Sequence, residues 1–370
     1  MRLHLLVNDT NEELDGKIEF LERRLYVART MVPPGYETFF QETARYTSVH
    51  TSTAIEGNPL GYQAAMIVLV EGADPDQPLE VEKVNLDEAY ELMASLAEDK
   101  STKIDQGIIR TINSMVLKGL PDTKTRNRGK YRVGGSLIVD ANTGAIRYRP
   151  PPPQWVPELM DHFALDMNTW VQEYPGPVAA ALAHFGLISI HPFDDGNGRT
   201  ARLVADMILN LTGSAADGMI TMSKVFHDEL PAYYEALRTT QGDDFKEEVD
   251  ATPFVVFHTD ALAKAATMLE DQAIQFDQLR KEFALAFGDA LNQRQANGLM
   301  FMLTIGPISS SRYAHLTGTS QATALSDLNE LSAKGLAARH GAGRSTRYEL
   351  TQSMEDRIAA RLAQRGGEPS

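Results

Sequence analysis

The sequence predicts a mainly α protein that ends in a winged helix-turn-helix. Three observations carry this. Most of the chain places apolar residues three or four apart, as one face of a helix requires. Ahead of residue 292, only residues 131–148 take on a strand–turn–strand texture, "YRVGGSLIVDANTGAIRY". The last stretch, 292–350, alternates short helical segments with tight turns and finishes in a glycine-tipped hairpin.

Helical spacing first runs over Asn11–Met31 and stops at Pro33-Pro34-Gly35. Further helices are expected over Tyr36–Ile55, Tyr62–Glu71 and Glu80–Leu96. The one after Gly61 lacks a Ser or Thr cap and so begins loosely. The hairpin pairs Leu137-Ile138-Val139 with Ile146-Arg147-Tyr148 around the turn-rich Asp140–Gly144, and four prolines end it. Helical pattern resumes near Val156 and continues to about Leu291, broken at Tyr174–Pro177 and Leu211–Gly218. In the last module Pro307 and Ser309–Ser311 introduce the middle helix, and Ser320 caps the third.

At 370 residues, 43% apolar and 23% charged, the chain can bury cores for two or three domains. It contains no cysteine, which excludes disulfides, thiolate metal sites and a cysteine nucleophile, and fits a reducing cytoplasm. No apolar run is long enough to span a membrane, and the acidic N-terminus does not read as a signal peptide. A net charge of −15 argues against unspecific nucleic-acid binding by the chain as a whole.

The chemistry concentrates in "HPFDDGNGRTAR", His191–Arg202. A calcium loop is the first reading to exclude. If Gly198 were its obligatory glycine, the first and last ligands would fall on the apolar Phe193 and Val204. An anion site fits better. The stretch joins two helices, so its glycines let backbone N–H groups approach a phosphate at the positive end of the second helix. Arg199 and Arg202, three apart, can lean towards the same anion. Asp195 is a hard-oxygen ligand suited to a Mg²⁺ shared with phosphates. His191 is the local side chain able to take a proton near neutral pH. Together they describe transfer of a phosphate-containing group from a nucleotide to a hydroxyl.

This stretch resembles the signature of the Fic family, His-Pro-Phe-x-Asp/Glu-Gly-Asn-Gly-Arg-x-x-Arg, at every defined position. The resemblance implies a helical Fic core with a β-hairpin flap, ATP and Mg²⁺ at the site, and AMP transfer to a Ser, Thr or Tyr hydroxyl of a target protein. It implies that His191 is the base, that Asp195 holds Mg²⁺, and that Gly196, Asn197 and Gly198 cradle the phosphates. Arg199 would neutralise charge there, Arg202 would meet the γ-phosphate, and Phe193 would anchor the loop. Tyr233-Tyr234 resembles a family segment near the nucleotide, with packing as the equal alternative. Ile138 and Tyr148 would hold a target segment on the flap, or simply pack the hairpin. His184 and the other histidines are expected to be ordinary packing or surface residues.

A second stretch, "TSTAIEGNPL", places Ser52 and Glu56 on one helical face, followed by Gly57. Beside the signature it resembles the family's inhibitory motif Ser/Thr-x-x-x-Glu-Gly/Asn. The implied lock is Glu56 on Arg202, in the space of the γ-phosphate. The expected division is an N-terminal region with this motif over 1–100, the Fic core over 101–260, a connecting helix over 261–291, the winged helix over 292–350 and a tail over 351–370.

The winged helix raises DNA as a partner. Residues 292–350 carry a net charge of +3, but the helix Ser320–Leu331 has no Lys or Arg and includes Asp327 and Glu330. Phosphate contacts dominate such binding, so recruitment of a target or packing is preferred. AMP removal using Glu56 and a nucleotide-sensing, DNA-binding regulator remain the alternatives; phosphoryl transfer drops, because the family's phosphate-transferring members depart from Gly-Asn-Gly-Arg and this chain does not. The resemblance also admits a homo-oligomer, for which the sequence names no interface.

Overall fold

The computed structural model describes residues 1–8, 12–121, 127–139, 143–287, 290–356 and 358; of Arg344 it describes only the backbone. The tip of the expected hairpin turn (140–142) and the last twelve residues of the tail lie outside them. The elements in chain order are β1 (His4–Leu6), α1 (Glu12–Met31), α2 (Glu37–Ile55), α3 (Tyr62–Glu71), α4 (Pro78–Glu98), α5 (Gln106–Val116), β2 (Ile138–Val139), β3 (Ile146–Tyr148), α6 (Val156–Glu173), α7 (Gly176–Ile190), α8 (Asn197–Leu211), α9 (Met222–Asp228), α10 (Leu230–Gln241), β4 (Glu248–Asp250), α11 (Thr252–Phe287), α12 (Gln293–Thr304), α13 (Ser310–Thr317), α14 (Gln321–Ala333), β5 (Ala337–His340) and β6 (Arg347–Leu350). The mainly α class holds. Among the described residues, no helix is long and apolar enough to cross a membrane.

The chain forms two compact units, one of Met1–Leu60 with Asp74–Ala273 and one of Gly61–Ala73 with Ile274 onward. This corrects the expected division twice. The segment holding α3 belongs to the C-terminal unit, and the boundary at 260/261 falls inside α11, which runs unbroken from Thr252. Apolar periodicity marks a helix but does not say which core it serves.

The first unit is built around α7, "GPVAAALAHFGLISI", where every residue from Pro177 to Ile190 is buried. It has no charged residue, so it can sit inside on all sides. Its small residues let neighbours close in: a β-carbon at Gly186 would collide with the Phe163 ring of α6, and one at Gly176 with Thr212 and Ser214. α6 and α8 flank it. α8 in turn packs on α4 and α5, and α2 on α4 and α9. Asp105 caps α5, accepting from the Ile108 N–H, and Ile109, Ile112 and Val116 form its buried face.

Two small sheets complete this unit. β1 and β4 pair in parallel, His4 with Glu248 through Leu6 with Asp250. Three-residue strands leave no alternation to read, and the sequence did not predict them. β2 and β3 pair antiparallel with an irregular register, Ile138 opposite Tyr148 and Val139 opposite Ile146.

In the C-terminal unit three helices precede an antiparallel β5–β6 pair, with Ala337 opposite Leu350. Ile308 bridges Tyr348 from the far side. Asn292 and Gln295 form a capping box on α12, Ser309 caps α13 and Ser320 caps α14. Gly298 leaves room for the Tyr313 ring. Asp327 points inward: it accepts from Arg294 at 2.7 Å and from Tyr313 at 3.1 Å. It is therefore a packing carboxylate and not the outward charge that the sequence count assumed.

Candidate nucleotide site at the α7–α8 turn

α7 ends because His191 turns into the left-handed region, φ 49° and ψ 59°, while its N–H still bonds to Leu187. Arg132, buried at 2% exposure, fixes this turn from outside the signature. Its Nε donates to the His191 carbonyl at 2.8 Å, its guanidinium also reaches Pro151 O at 2.6 Å, and its own N–H bonds to Pro192 O. Five donors in a planar fork suit a guanidinium to gather several carbonyls.

The turn is closed by its own side chains. Asn197 accepts from the Phe193 N–H and donates to the Phe193 carbonyl, both at 3.0 Å. Phe193 is buried and lies near the Tyr131 ring. Asn113 of α5 donates to the Asp195 carbonyl at 2.9 Å and accepts from the Gly129 N–H. Gly196 takes φ 75°, and Asn113 and Leu117 crowd the place of its absent β-carbon. α8 starts at Asn197, three residues earlier than the apolar pattern indicates, with no side-chain cap. The first N–H groups of Asn197, Gly198 and Arg199 thus form the uncapped positive end of a fifteen-residue helix.

Both signature arginines are buried and held by carboxylates. Arg202 donates from Nε to Ser52 Oγ at 2.8 Å, and from its terminal nitrogen to the Ser52 carbonyl at 2.9 Å and Glu56 Oε1 at 2.7 Å. Burial by itself would raise the Glu56 carboxyl, but Arg202 and then Arg199 outweigh it and hold the group below its usual range. The same pair keeps Arg202 above its ordinary value against the cost of burial. α2 stops at Ile55, and Gly57 follows at φ 93°, a conformation that spares a β-carbon. Glu56 leans over Gly198, where a β-carbon would overlap its Oε1.

Arg199 pairs with Glu82 of α4 and lies 3.4 Å from Asp195 Oδ1. Glu82 also accepts from Asn58 at 2.7 Å, and the neighbouring Lys83, fully buried, reaches the His50 carbonyl and Thr53 of α2. Burial lowers Lys83 to about 8, with Glu82 opposing. Sequence spacing gave no signal for Glu82, Asn113 or Arg132. They act from α4, α5 and the segment before the flap, elements that only tertiary packing brings to the turn.

His191 is partly buried, and burial together with the charge of Arg132 lowers its pKa to about 4. It is therefore neutral at physiological pH, as a proton acceptor must be. The Asp195 side chain is 37% exposed, and its Oδ1 accepts from the Gly196 N–H at 2.6 Å. Among the described residues no group of three or more His, Asp or Glu could hold a metal. A single accessible carboxylate beside an anion site fits Mg²⁺, which takes one or two protein oxygens and completes its shell with phosphates and water.

Other expected residues are placed differently. Tyr233 is 1% exposed, bonds through its hydroxyl to His184 Nε2 at 2.9 Å and stacks on Phe226, which is packing and not an open nucleotide contact. Tyr234 is 49% exposed, its hydroxyl 3.4 Å from the Ile55 carbonyl. Tyr148 is 3% exposed and donates to the Ser189 carbonyl at 2.9 Å, so its ring faces the core and cannot grip a target. Ile138 is half-buried; Leu137, Val139 and Ile146 are the exposed apolar side chains of the hairpin. A core tyrosine and a surface tyrosine look alike in a three-residue strand.

Residues 103–209 match the model of the Fic/DOC family. The chain is 31% identical over 222 residues to the protein adenylyltransferase Fic of Nematostella vectensis, covering 58% of this chain and 46% of that protein. It is 28% identical over 228 residues to that of Aedes aegypti, covering 60% and 40%. The chain thus spans less than half the length of these curated relatives. A Fic family protein from Desulfovibrio desulfuricans superposes with a TM-score of 0.57 at 23% identity, over 95% of this chain and 99% of that one. A Fic domain protein of Bacteroides thetaiotaomicron gives 0.58 at 21% identity, over 70% and 97%. At these identities the structures speak for the fold.

Proposed function

We propose, for a chain that carries a Fic domain over residues 103–209, that it transfers AMP from ATP to a Ser, Thr or Tyr hydroxyl of a target protein, under restraint by Glu56. The observation that supports this most is the convergence, at one turn, of a neutral His191, the uncapped start of α8 and two buried arginines. In this reading His191 takes the proton of the acceptor hydroxyl, whose oxygen attacks the α-phosphorus while pyrophosphate leaves. The N–H groups at Asn197 and Gly198 receive phosphate oxygens, joined by that of Gly196 once the Asp195 carboxylate turns away from it. Arg199 and Arg202 balance the remaining charge once Glu82 and Glu56 yield them. Asp195 would hold a Mg²⁺ ion, which supplies charge neutralisation between phosphates. Phe193 and Asn197 keep the turn in shape.

The restraint follows from the same contacts. A γ-phosphate seeking Arg202 meets a carboxylate already there, so ATP is excluded or misaligned for in-line attack. The exposed side chains of the hairpin, Leu137, Val139 and Ile146 with the half-buried Ile138, suit an extended target segment added as a strand. We read the C-terminal unit as a winged helix-turn-helix that recruits a partner. The outward positions of α14, including Gln321, Ala322, Leu325 and Asn329, carry no cation, which disfavours DNA.

The test is labelling from ATP carrying the isotope at the α-phosphate, with γ-labelled ATP in parallel, and self-modification is a sufficient readout. Label from the α position alone, weak in wild type, strong in Glu56→Gly and absent in His191→Ala, is the expected result. Equal labelling of wild type and Glu56→Gly would remove the restraint. Removal of AMP from a pre-labelled target that depends on Glu56 would instead assign that residue a role in hydrolysis.

A further inference from the structure

Only four residues, Gly57-Asn58-Pro59-Leu60, separate Glu56 from the segment Gly61–Ala73, which belongs to the C-terminal unit. Four residues reach about 14 Å at full extension, so the segment is held on a short tether to the end of α2. Within the C-terminal unit α3 is held at several points. Glu71 pairs with Arg347 of β6, Met66 lies against Gly306, and α3 runs beside the turn Gly343–Ser345. The ion pair is partly exposed, 26% at Glu71 and 20% at Arg347, and Glu349 stands 3.9 Å from Arg347 as an alternative partner. It is a contact that can open without unfolding a core.

Within these four residues sits Asn58, 5% exposed. It donates to the Leu79 carbonyl at 3.0 Å and to Glu82 at 2.7 Å, and accepts from the Leu60 N–H at 3.1 Å. Its N–H also closes the last turn of α2 on the Thr53 carbonyl. Asn58 is thereby tied both to the helix end that carries Glu56 and to Glu82, the carboxylate that occupies Arg199. The seats of both restraining carboxylates meet at one residue, three positions before the segment that α3 anchors.

We infer that the C-terminal unit sets the strength of the restraint: α3, docked through Glu71 and Arg347, keeps Asn58, Glu56 and Glu82 seated, and detaching α3 frees Arg202 and Arg199 together. The enzymatic part of this rests on the AMP-transfer reading; the mechanical part does not.

The experiment uses the full chain with Glu71→Arg, Arg347→Glu and the double swap, beside wild type and Glu56→Gly. Two readouts are taken: self-labelling from α-labelled ATP, and hydrogen exchange of the amides over residues 53–60. Each single reversal is expected to raise labelling by at least about five-fold, the lower end of ordinary coupling between sites, and to speed exchange at 53–60. The swap restores both readouts, which separates the effect from misfolding. Glu71→Arg placed on Glu56→Gly adds nothing further. Wild-type exchange and labelling in the single variants, beside a strongly active Glu56→Gly, would overturn the inference, as would faster exchange that the swap fails to reverse. If Glu56→Gly itself takes no label, the AMP-transfer reading fails, and the exchange data alone decide the coupling.

Discussion

The carboxylate of Glu56 fills the space that a side chain at position 198 would need, while its Oε1 accepts from Arg202 at 2.7 Å. Gly198 thus lets Glu56 lie flat on the start of α8, and on the AMP-transfer reading it would let a phosphate approach that same helix end. A substitution there is felt by whichever occupant is present.

Gly198→Ala is expected to push Glu56 off Arg202, since the overlapping atom is the tip of a flexible side chain. In urea denaturation the alanine should destabilise wild type but cost much less in the Glu56→Gly background, where only Arg202 remains near, 3.1 Å away. A coupling of about 1–2 kcal/mol between the two sites is expected from a double-mutant cycle. Strict additivity would mean that the two residues do not share this space.

Ser52→Ala should weaken the hold on Arg202 without touching the carboxylate. It strips the acceptor from Nε in a place where Arg202 is 2% and Ser52 1% exposed. A buried donor left unsatisfied costs about 1–3 kcal/mol. Ser52→Thr keeps the oxygen and should retain most of that stability, measured by thermal denaturation.

Arg132→Gln should raise the His191 pKa. Burial is the first cause of its low value, about 4, and the Arg132 charge the second, so removing the charge returns the imidazole part of the way towards its ordinary 6.5. Proton NMR titration of the ring reads this directly. Activity should lose its acid limb at a higher pH than in wild type, because the base is then protonated earlier.

His258→Phe should flatten the acid sensitivity of the fold. Neither ring nitrogen of His258 has a hydrogen-bond partner among the described residues, and burial holds its pKa near 3. Unfolded, the ring titrates near 6.5, so the unfolded chain binds more protons than the folded one between those values. Wild type therefore loses stability as pH falls below about 6.5, at no more than about 1.4 kcal/mol per pH unit from this residue. At pH 5 the phenylalanine variant should be the more stable by about 1–2 kcal/mol, and near pH 7 the gap should narrow. His184, whose pKa burial and His258 lower in the same direction, keeps part of the slope in both proteins.

What could be read without coordinates divides along physical lines. His191–Arg202 was legible because a short run of interdependent residue types carries its own chemistry; Ser52–Gly57, weak alone, was legible through its resemblance to the family's inhibitory motif, which also implied the Glu56–Arg202 contact. The long helices were legible from period, and α3 from its first residue to its last, Tyr62–Glu71. The allegiance of α3 to the C-terminal unit was not, because amphipathicity names a buried face and no partner. Glu82, Asn113 and Arg132 were invisible for the reason that makes them useful: each reaches the turn from a different element. For Tyr148 and Tyr233 the sequence left packing and a site role open, because an aromatic residue near a site packs beneath it as readily as it lines it; both are buried.

The contact between Glu56 and Arg202 joins positions 146 apart, whereas α7, its turn and α8 are contiguous in sequence and packed on each other. Closing a long loop is slow relative to forming a local helix pair. The contact that restrains Arg202 is therefore expected to form after the α7–α8 pair has packed. On the AMP-transfer reading, nucleotide added during refolding would meet the start of α8 before Glu56 comes to lie on it, on terms that the finished protein no longer offers.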